Sequence, residues 1–328
     1  MRNVFVTGGT GLIGSNICKQ LIERGDQVRA LARPGSEMGP LRDLGVIIVE
    51  GDITDSASVT RAADGCDGVI HSAAVLGGPS QDMGEHQRVN TGGVANVLDA
   101  AQAAGIKRVV TLGTTTYFDF KTSPLTETSS FDPHASSDPY TVTKGAAFLE
   151  AMRRADAGLD VSVVIPGGTF GPAPTINRAM EAPSFNLRIV WALLGRFDAA
   201  VSFPIPWSLA SDVAFASIAA LDKGVRGEKY LAFAGSHEVS TMATFCNRAC
   251  EIAGVEHRVN EITAADLDAS EDVRQRVGPS LTALAHQKFP EPYFVNQTTI
   301  DRLDYHPRPL DESLRETVEW LYQHDLVK

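Results

Sequence analysis

The stretch Val4-Phe5-Val6-Thr7-Gly8-Gly9-Thr10-Gly11-Leu12-Ile13-Gly14 decides how the chain is read. A short apolar, β-branched run breaks into glycines at 8, 11 and 14, and an amphipathic pattern follows over residues 13–24. A strand that turns directly into a helix around a dinucleotide uses glycine three times. It needs a tight turn, close approach of backbone to pyrophosphate, and close helix-to-strand packing. The helix N-terminus supplies amide donors and partial positive charge for the same anion. Gly8, Thr10, Gly11, Leu12, Ile13 and Gly14 are therefore the first candidate binding residues.

Working outward, residues 4–7, 28–32, 46–49, 68–71, 108–112 and 161–165 form short runs without polar alternation, as expected of strands buried on both faces. Amphipathic stretches at 13–24, 85–104 and 139–155 lie between them. Strands separated by helices of this length imply right-handed crossovers and a parallel sheet. The expected fold is α/β, a Rossmann-type doubly wound parallel sheet with a smaller interleaved C-terminal lobe. Residues 167–185, GGTFGPAPTINRAMEAPSF, are loop-rich, and 188–211 carry Trp191, Phe197, Phe203 and Trp207 in a weakly periodic segment. A strand at 229–233 and a helix at 241–253 follow. The expected division is a dinucleotide-binding domain over 1–168, with 207–235 returning to the sheet. A substrate-binding lobe takes 169–206 and 236–328.

Composition narrows the function classes. The 328 residues hold 29 Lys+Arg against 40 Asp+Glu, a formal charge of −11. That field repels phosphate backbones and no basic cluster interrupts it, so nucleic acid is not an expected partner. With 43% hydrophobic and 21% charged residues, disordered, collagen-like and coiled-coil readings are excluded. The uncharged stretch 161–177 contains Pro166, Pro172 and Pro174 with three glycines, which rules out a membrane-spanning helix there. The N-terminal apolar run is too short for a secretory segment, so a cytoplasmic location is expected. Cys18, Cys66, Cys246 and Cys250 read as reduced packing residues, with Cys246 and Cys250 on one helix face rather than in a zinc knuckle; no metal is expected.

Three further signals carry chemistry. The second strand ends Arg29-Ala30-Leu31-Ala32-Arg33-Pro34, without the acid that would bind ribose hydroxyls and repel a 2′-phosphate. Arg33 can clamp such a phosphate, which favours NADP(H); as a surface arginine stacked on adenine it permits NAD(H). Asp52-Ile53 is placed to meet the adenine edge, although Asp52 also stands where it could cap a helix beginning near Ser56. Tyr140 and Lys144, four apart behind Asp138-Pro139, share one helix face. An ammonium beside a phenol is expected to pull its pKa down from about 10 toward the proton-transfer range. Finally, Thr114-Thr115-Thr116 puts hydroxyls at the end of the fifth strand.

With these residues in view, the chain resembles the extended short-chain dehydrogenase/reductases over nearly its whole length. This is the superfamily of dihydroflavonol reductases, 3β-hydroxysteroid dehydrogenases and sugar-nucleotide epimerases and dehydratases. Its phosphate loop corresponds to Thr7–Gly14 and its adenine contact to Asp52-Ile53. Its H-x-A-A segment corresponds to His71-Ser72-Ala73-Ala74, its V-N-x-x-G-x-x-N-V-L pattern to Val89-Asn90, Gly93 and Asn96-Val97-Leu98, and its Y-x-x-x-K to Tyr140 and Lys144. Gly171-Pro172, Asp212-Val213-Ala214 and residues 306–320 correspond to later family signals. The chain departs from the pattern at Ile165-Pro166, where the family often has Arg before the proline, and at Thr143, commonly Ser.

The resemblance implies Tyr140 as general acid/base, Lys144 as its partner and nicotinamide-ribose ligand, and Thr114 as the catalytic hydroxyl, with Thr115 one residue away in register. It adds Ala73, Ala74, Asn90 and Pro166 to the coenzyme contacts. The implied activity is hydride transfer between nicotinamide and a ketone or secondary alcohol. An epimerase and a non-enzymatic dinucleotide-sensing regulator are the alternatives. Dehydratases of this kind place an acidic pair after the catalytic Thr; here stand Thr115-Thr116. Phe185, Trp191, Phe197, Phe203 and Trp207, beside Arg178, Arg188 and Arg196, suit a hydrophobic or aromatic substrate, or else they are the lobe's own core. A homodimer through helices 85–104 and 139–155 is also implied. His86 and His134 fall near the expected cleft.

Overall fold

The structure, a computed structural model, describes residues 1–77, 82–119, 123–132 and 136–328. His134 lies outside the described residues.

The elements alternate as β1 (Asn3–Thr7), α1 (Leu12–Glu23), β2 (Gln27–Ala32), α2 (Gly39–Asp43), β3 (Ile47–Glu50), α3 (Ser56–Ala63), β4 (Gly68–His71), α4 (Met83–His86) and a π-helical turn (Gln87–Thr91). Then come α5 (Gly92–Ala103), β5 (Arg108–Leu112), α6 (Pro139–Asp156) and β6 (Val161–Pro166). The chain continues through β7 (Gly168–Phe170), α7 (Ile176–Ala179), α8 (Phe185–Leu193), β8 (Ala199–Val201), β9 (Trp207–Leu209), α9 (Ala210–Lys223) and β10 (Lys229–Ala232). It ends with α10 (Met242–Ala253), β11 (Asn260–Ile262), α11 (Ala264–Ala269), α12 (Glu271–Val277), α13 (Pro279–His286), α14 (Gln297–Leu303) and α15 (Leu310–Gln323).

Seven parallel strands form one sheet in the order β10-β6-β5-β4-β1-β2-β3. The order reverses beside β1, so the carboxyl ends of β1 and β4 flank the switch point where a crevice opens. β1, β4, β5 and β6 are buried almost throughout, because helices cover both faces. One helical layer brings α3, α5 and α6 against Phe5, Val69, Val109 and Val163; the other brings α1 and α9 against Val4, Val6, Ile70 and Val164. Among the described residues, no helix is long and apolar enough to cross a membrane.

Four expectations are corrected. β3, expected to be buried on both faces, is the sheet edge, with Ile47 53% exposed. The helix expected over 85–104 is broken by the π-helical turn at Gln87–Thr91. Trp207–Leu209, expected to be part of the segment returning to the main sheet, forms its own two-stranded sheet with β7 and meets the end of β10 through Ser208 Oγ, which donates to Ala232 O at 2.6 Å. Residues 293–305 leave the expected substrate lobe: Tyr293 and Phe294 join the core beneath α6, Leu303 and Tyr305 join the α1/α9 layer, and Thr299 Oγ1 accepts from Leu231 N of β10 at 2.7 Å.

A third core, away from the sheet, holds α8, α10 and α15 together around Trp207, Phe170, Phe245 and Trp320. It is tied to the sheet half by polar clamps. Asn16 of α1 donates to Pro172 O at 2.9 Å, and Asp212 at the start of α9 accepts from the Arg308 backbone at 2.9 Å and from its guanidinium at 3.0 and 3.1 Å.

Candidate active site

A cavity of about 470 Å³ runs along the carboxyl ends of the central strands. Its floor is the turn between β1 and α1. Gly8 has φ +69°, and a Cβ there would lie 2.6 Å from Ala73 N. A Cβ on Gly14 would lie 2.0 Å from Gly8 O, so only glycine lets α1 approach the turn. Gly11 is the N-cap of α1 and carries no side chain to fill the space above the free amides. Thr7, Gly8, Thr10, Gly11, Leu12, Ile13 and Gly14 all line the cavity, as do Ala73 and Ala74 from the loop after β4. Beneath them Thr7 Oγ1 lies 2.6 Å from His71 Nδ1, and Ser72 Oγ donates to Thr7 O at 2.8 Å, fixing the two loops together.

At one end of the cavity stand Arg33, Ser36, Asp52 and Ile53. Arg33 is exposed and Ile53 buried. Burial pushes the Asp52 carboxyl up, but bonds from Thr54 N at 2.8 Å and Thr54 Oγ1 at 2.7 Å, together with the Arg33 charge, outweigh it and hold the group below its ordinary range. Asp52 does not cap α3. That position belongs to Asp55, which accepts from Ala57 N, so Asp52 is left to the cavity wall.

At the other end Thr114, Tyr140, Lys144 and Pro166 meet. Asp138 caps α6 by accepting from Thr141 N at 2.9 Å, and Pro139 occupies the first helical turn, so the helix begins where Tyr140 is brought to the strand ends. Lys144 is buried and its Nζ donates to Leu112 O at 2.6 Å. Burial lowers its pKa to about 8. The Thr114 side chain stands beside the Tyr140 phenol and acts to lower its pKa. Thr114 is itself held from below: its backbone N donates to Tyr117 Oη at 3.4 Å, and Tyr117 is buried in a ring cluster with Phe118, Phe131 and Phe148.

Several expectations change here. The phenol was expected to be lowered by the ammonium. Burial instead raises its pKa, the Asp138 charge adds to this, and the Thr114 side chain only partly opposes it. Lys144 spends a proton on Leu112 O rather than on the phenol. Thr115 begins a 3₁₀ turn and does not reach the cavity, whereas Thr114 does. Asn90 does not line it either. Its amide braces the cavity wall from behind, accepting from Val75 N at 2.8 Å and donating to Val75 O and to the Thr143 hydroxyl, each at 3.1 Å. His86 is fully buried beside Asn90, 3.4 Å from its Nδ2, and is not on the wall.

The remaining wall comes from residues 169–185: Thr169, Arg178, Ala179, Glu181, Pro183, Ser184 and Phe185 line it, opposite Leu76 and Gly77. Of the five aromatics expected to line a substrate site, only Phe185 does. Trp207 is 1% exposed and stacks on Phe245 at 3.7 Å, which makes it lobe core. Trp191 and Phe197 sandwich Arg188, at 5.0 and 5.2 Å, and Phe203 faces a separate shallow groove. Leu76, Thr169, Glu181 and Ser184 carry no sequence signal, since they enter from loops and, for Thr169, from the three-residue strand β7. Among the described residues no group of three or more His, Cys, Asp or Glu is placed to hold a metal ion.

A doubly wound parallel sheet with a glycine-floored crevice at its switch point is the architecture of a dinucleotide-binding protein. Residues 4–232 match the model of the NAD dependent epimerase/dehydratase family, and the chain belongs to that family. It is 31% identical over 231 residues to Sterol demethylase protein B of Methylococcus capsulatus, covering 69% of this chain and 68% of that one. It is 34% identical over 170 residues to a putative dihydroflavonol 4-reductase of Synechocystis, where the match spans about half of each chain, 51% and 49%. The Bordetella bronchiseptica enzyme WbmH, solved in complex with NAD+, shares the fold with a TM-score of 0.74 over 99% of each chain at 21% identity.

Proposed function

We propose that the protein is a nicotinamide-dependent reductase or dehydrogenase that interconverts a ketone and a secondary alcohol. The observation that carries this reading is the meeting of Thr114, Tyr140 and Lys144 at one end of a cleft whose other end holds Arg33, Asp52 and Ile53. The residues present fit a dinucleotide: the glycine floor leaves a cradle that a Cβ at Gly8 or Gly14 would fill, next to the free amides of α1. When bound, the coenzyme supplies or accepts the hydride.

The chain's own residues do the rest. The turn amides hold the pyrophosphate, Asp52 and Ile53 meet the adenine, and Arg33 takes a 2′-phosphate where one is present, which favours NADP(H). Lys144 binds the ribose hydroxyls near the pyridine. A phenol held above its ordinary range remains protonated at neutral pH, the state required to give a proton to a carbonyl oxygen as the alcohol forms. Thr114 orients that oxygen. The α6 residues Val142 and Leu149, 38% and 48% exposed, provide an apolar face for a homodimer in which α5 and α6 pair between subunits.

Epimerase chemistry is the second reading, favoured by the family description. The discriminating experiment follows nicotinamide absorbance with a panel of aromatic ketones and with nucleotide sugars, using NADPH and NADH in turn. Net coenzyme consumption with a ketone, faster with NADPH, is expected. Turnover of a nucleotide sugar without net consumption would replace the reductase by the epimerase.

A further inference from the structure

We propose that Arg178 and Glu181 act as a paired charge filter that restricts the substrate end of the cleft to electrically neutral carbonyl compounds. This deepens the reading above and rests on it. Both side chains line the same cavity as Tyr140, and the Arg178 guanidinium hydrogen-bonds the Glu181 carboxylate three residues on. Among the described residues of this wall, 169–185, they are the only charged side chains that line the cavity, and they cancel each other. Other lobe cations are not available. Arg188 is sandwiched between Trp191 and Phe197, and Arg196 is not on the wall.

An anionic substrate entering here would meet a cation already committed to a carboxylate, within a protein of net charge −11. It must break the pair and sit beside Glu181, a like charge. A neutral aryl or polycyclic ketone instead packs on Phe185, Pro183 and Ala179 and leaves the pair intact. A hydroxyl or carbonyl at its far end can reach either partner. The filter therefore discriminates by repulsion and by commitment, not by shape.

The test uses two probes of nearly equal size, methyl 4-acetylbenzoate and 4-acetylbenzoate, with the wild type, Glu181→Gln and Arg178→Gln. Two readouts are taken: kcat/KM with reduced coenzyme, and affinity by isothermal titration into protein saturated with oxidised coenzyme. The wild type is expected to favour the ester. Glu181→Gln frees Arg178 and should move the ester-to-acid ratio toward the acid by about fivefold, the worth of one partly exposed charge pair. Arg178→Gln leaves Glu181 uncompensated and should move the ratio the other way. Opposite signs in the two variants are not produced by a loss of packing. A ratio unmoved by both variants, or a wild type that prefers the acid, overturns the filter while coenzyme-dependent ketone turnover still supports the reductase. Binding ratios that shift as expected with no turnover of either probe support the filter and overturn the reductase. Failure of both probes to bind or react overturns both.

Discussion

The two walls of the cleft are built by different physics. On the coenzyme side, Thr7–Gly14 is dictated by backbone sterics: Gly8 needs its positive φ, and both Gly8 and Gly14 leave no room for a Cβ. On the substrate side, residues 169–185 impose few such demands, and the wall is whatever side chains β7, the short α7 and the turns around them present over the Trp207–Phe245 core. A wall set by backbone constraints admits few residue types and can be read from sequence. A wall set by packing admits many and cannot.

That contrast can be broken at either wall. Trp207→Ala removes the most deeply buried indole of the lobe core and should cost about 3–5 kcal/mol of stability, while the folded fraction keeps its coenzyme affinity. Chemical denaturation alongside a coenzyme titration checks this; lost affinity in the folded fraction would show that the lobe core shapes the coenzyme wall as well. Gly14→Ala drives a methyl into the Gly8 carbonyl and should cost about 1–3 kcal/mol, here accompanied by weakened coenzyme binding because the turn itself moves. Unchanged coenzyme affinity in that variant would remove the steric reading of the floor.

His71 sharpens the comparison, because it places a buried titratable group directly under the coenzyme wall. Burial, then the nearby Lys144 charge, lowers its pKa from 6.5 to about 3, and its Nε2 has no hydrogen-bond partner among the described residues. The unfolded chain therefore binds a proton between those two values that the folded chain refuses, so stability falls as pH drops through that window. At pH 5.5 the loss should be about 1.2 kcal/mol relative to pH ~7, and a His71→Asn variant should not show it. Denaturation midpoints at the two pH values, compared for wild type and variant, give the answer. The smallest effect is expected at Phe185, among the described residues the one lobe ring on the cavity wall. Phe185→Ala should raise KM for an aryl ketone about threefold to tenfold and leave the coenzyme Kd unchanged, since it trims an open wall rather than a core.

The same division explains what the sequence disclosed. Seven strands are legible to within about a residue at most ends because parallel strands under helices must be continuous apolar runs. Only β3 defeats that rule, since a sheet edge need not be buried on both faces and Ile47 lies open. The π-helical turn at Gln87–Thr91 is invisible to periodicity, which sees one amphipathic stretch, yet it sets Asn90 against Val75 rather than in the cleft. Thr114 and Thr115 look alike in sequence, because one residue at a strand end changes which hydroxyl faces the cleft. Residues 293–305 return to the sheet through the Thr299 hydroxyl on Leu231 N, the Asn296 amide on Leu231 O and apolar contacts, none of which leaves a local pattern.

The proposed chemistry rests on the Tyr140 hydroxyl, which lines the cleft with Thr114 and Lys144 at the end opposite Arg33. The direct measurement is ketone-dependent oxidation of NADPH by wild type and Tyr140→Phe, with the coenzyme Kd determined for both. Wild-type coenzyme affinity with turnover lowered about 10²- to 10⁴-fold is expected, since only the proton donor has been removed. Undiminished turnover by Tyr140→Phe would contradict the assignment of that phenol as the acid.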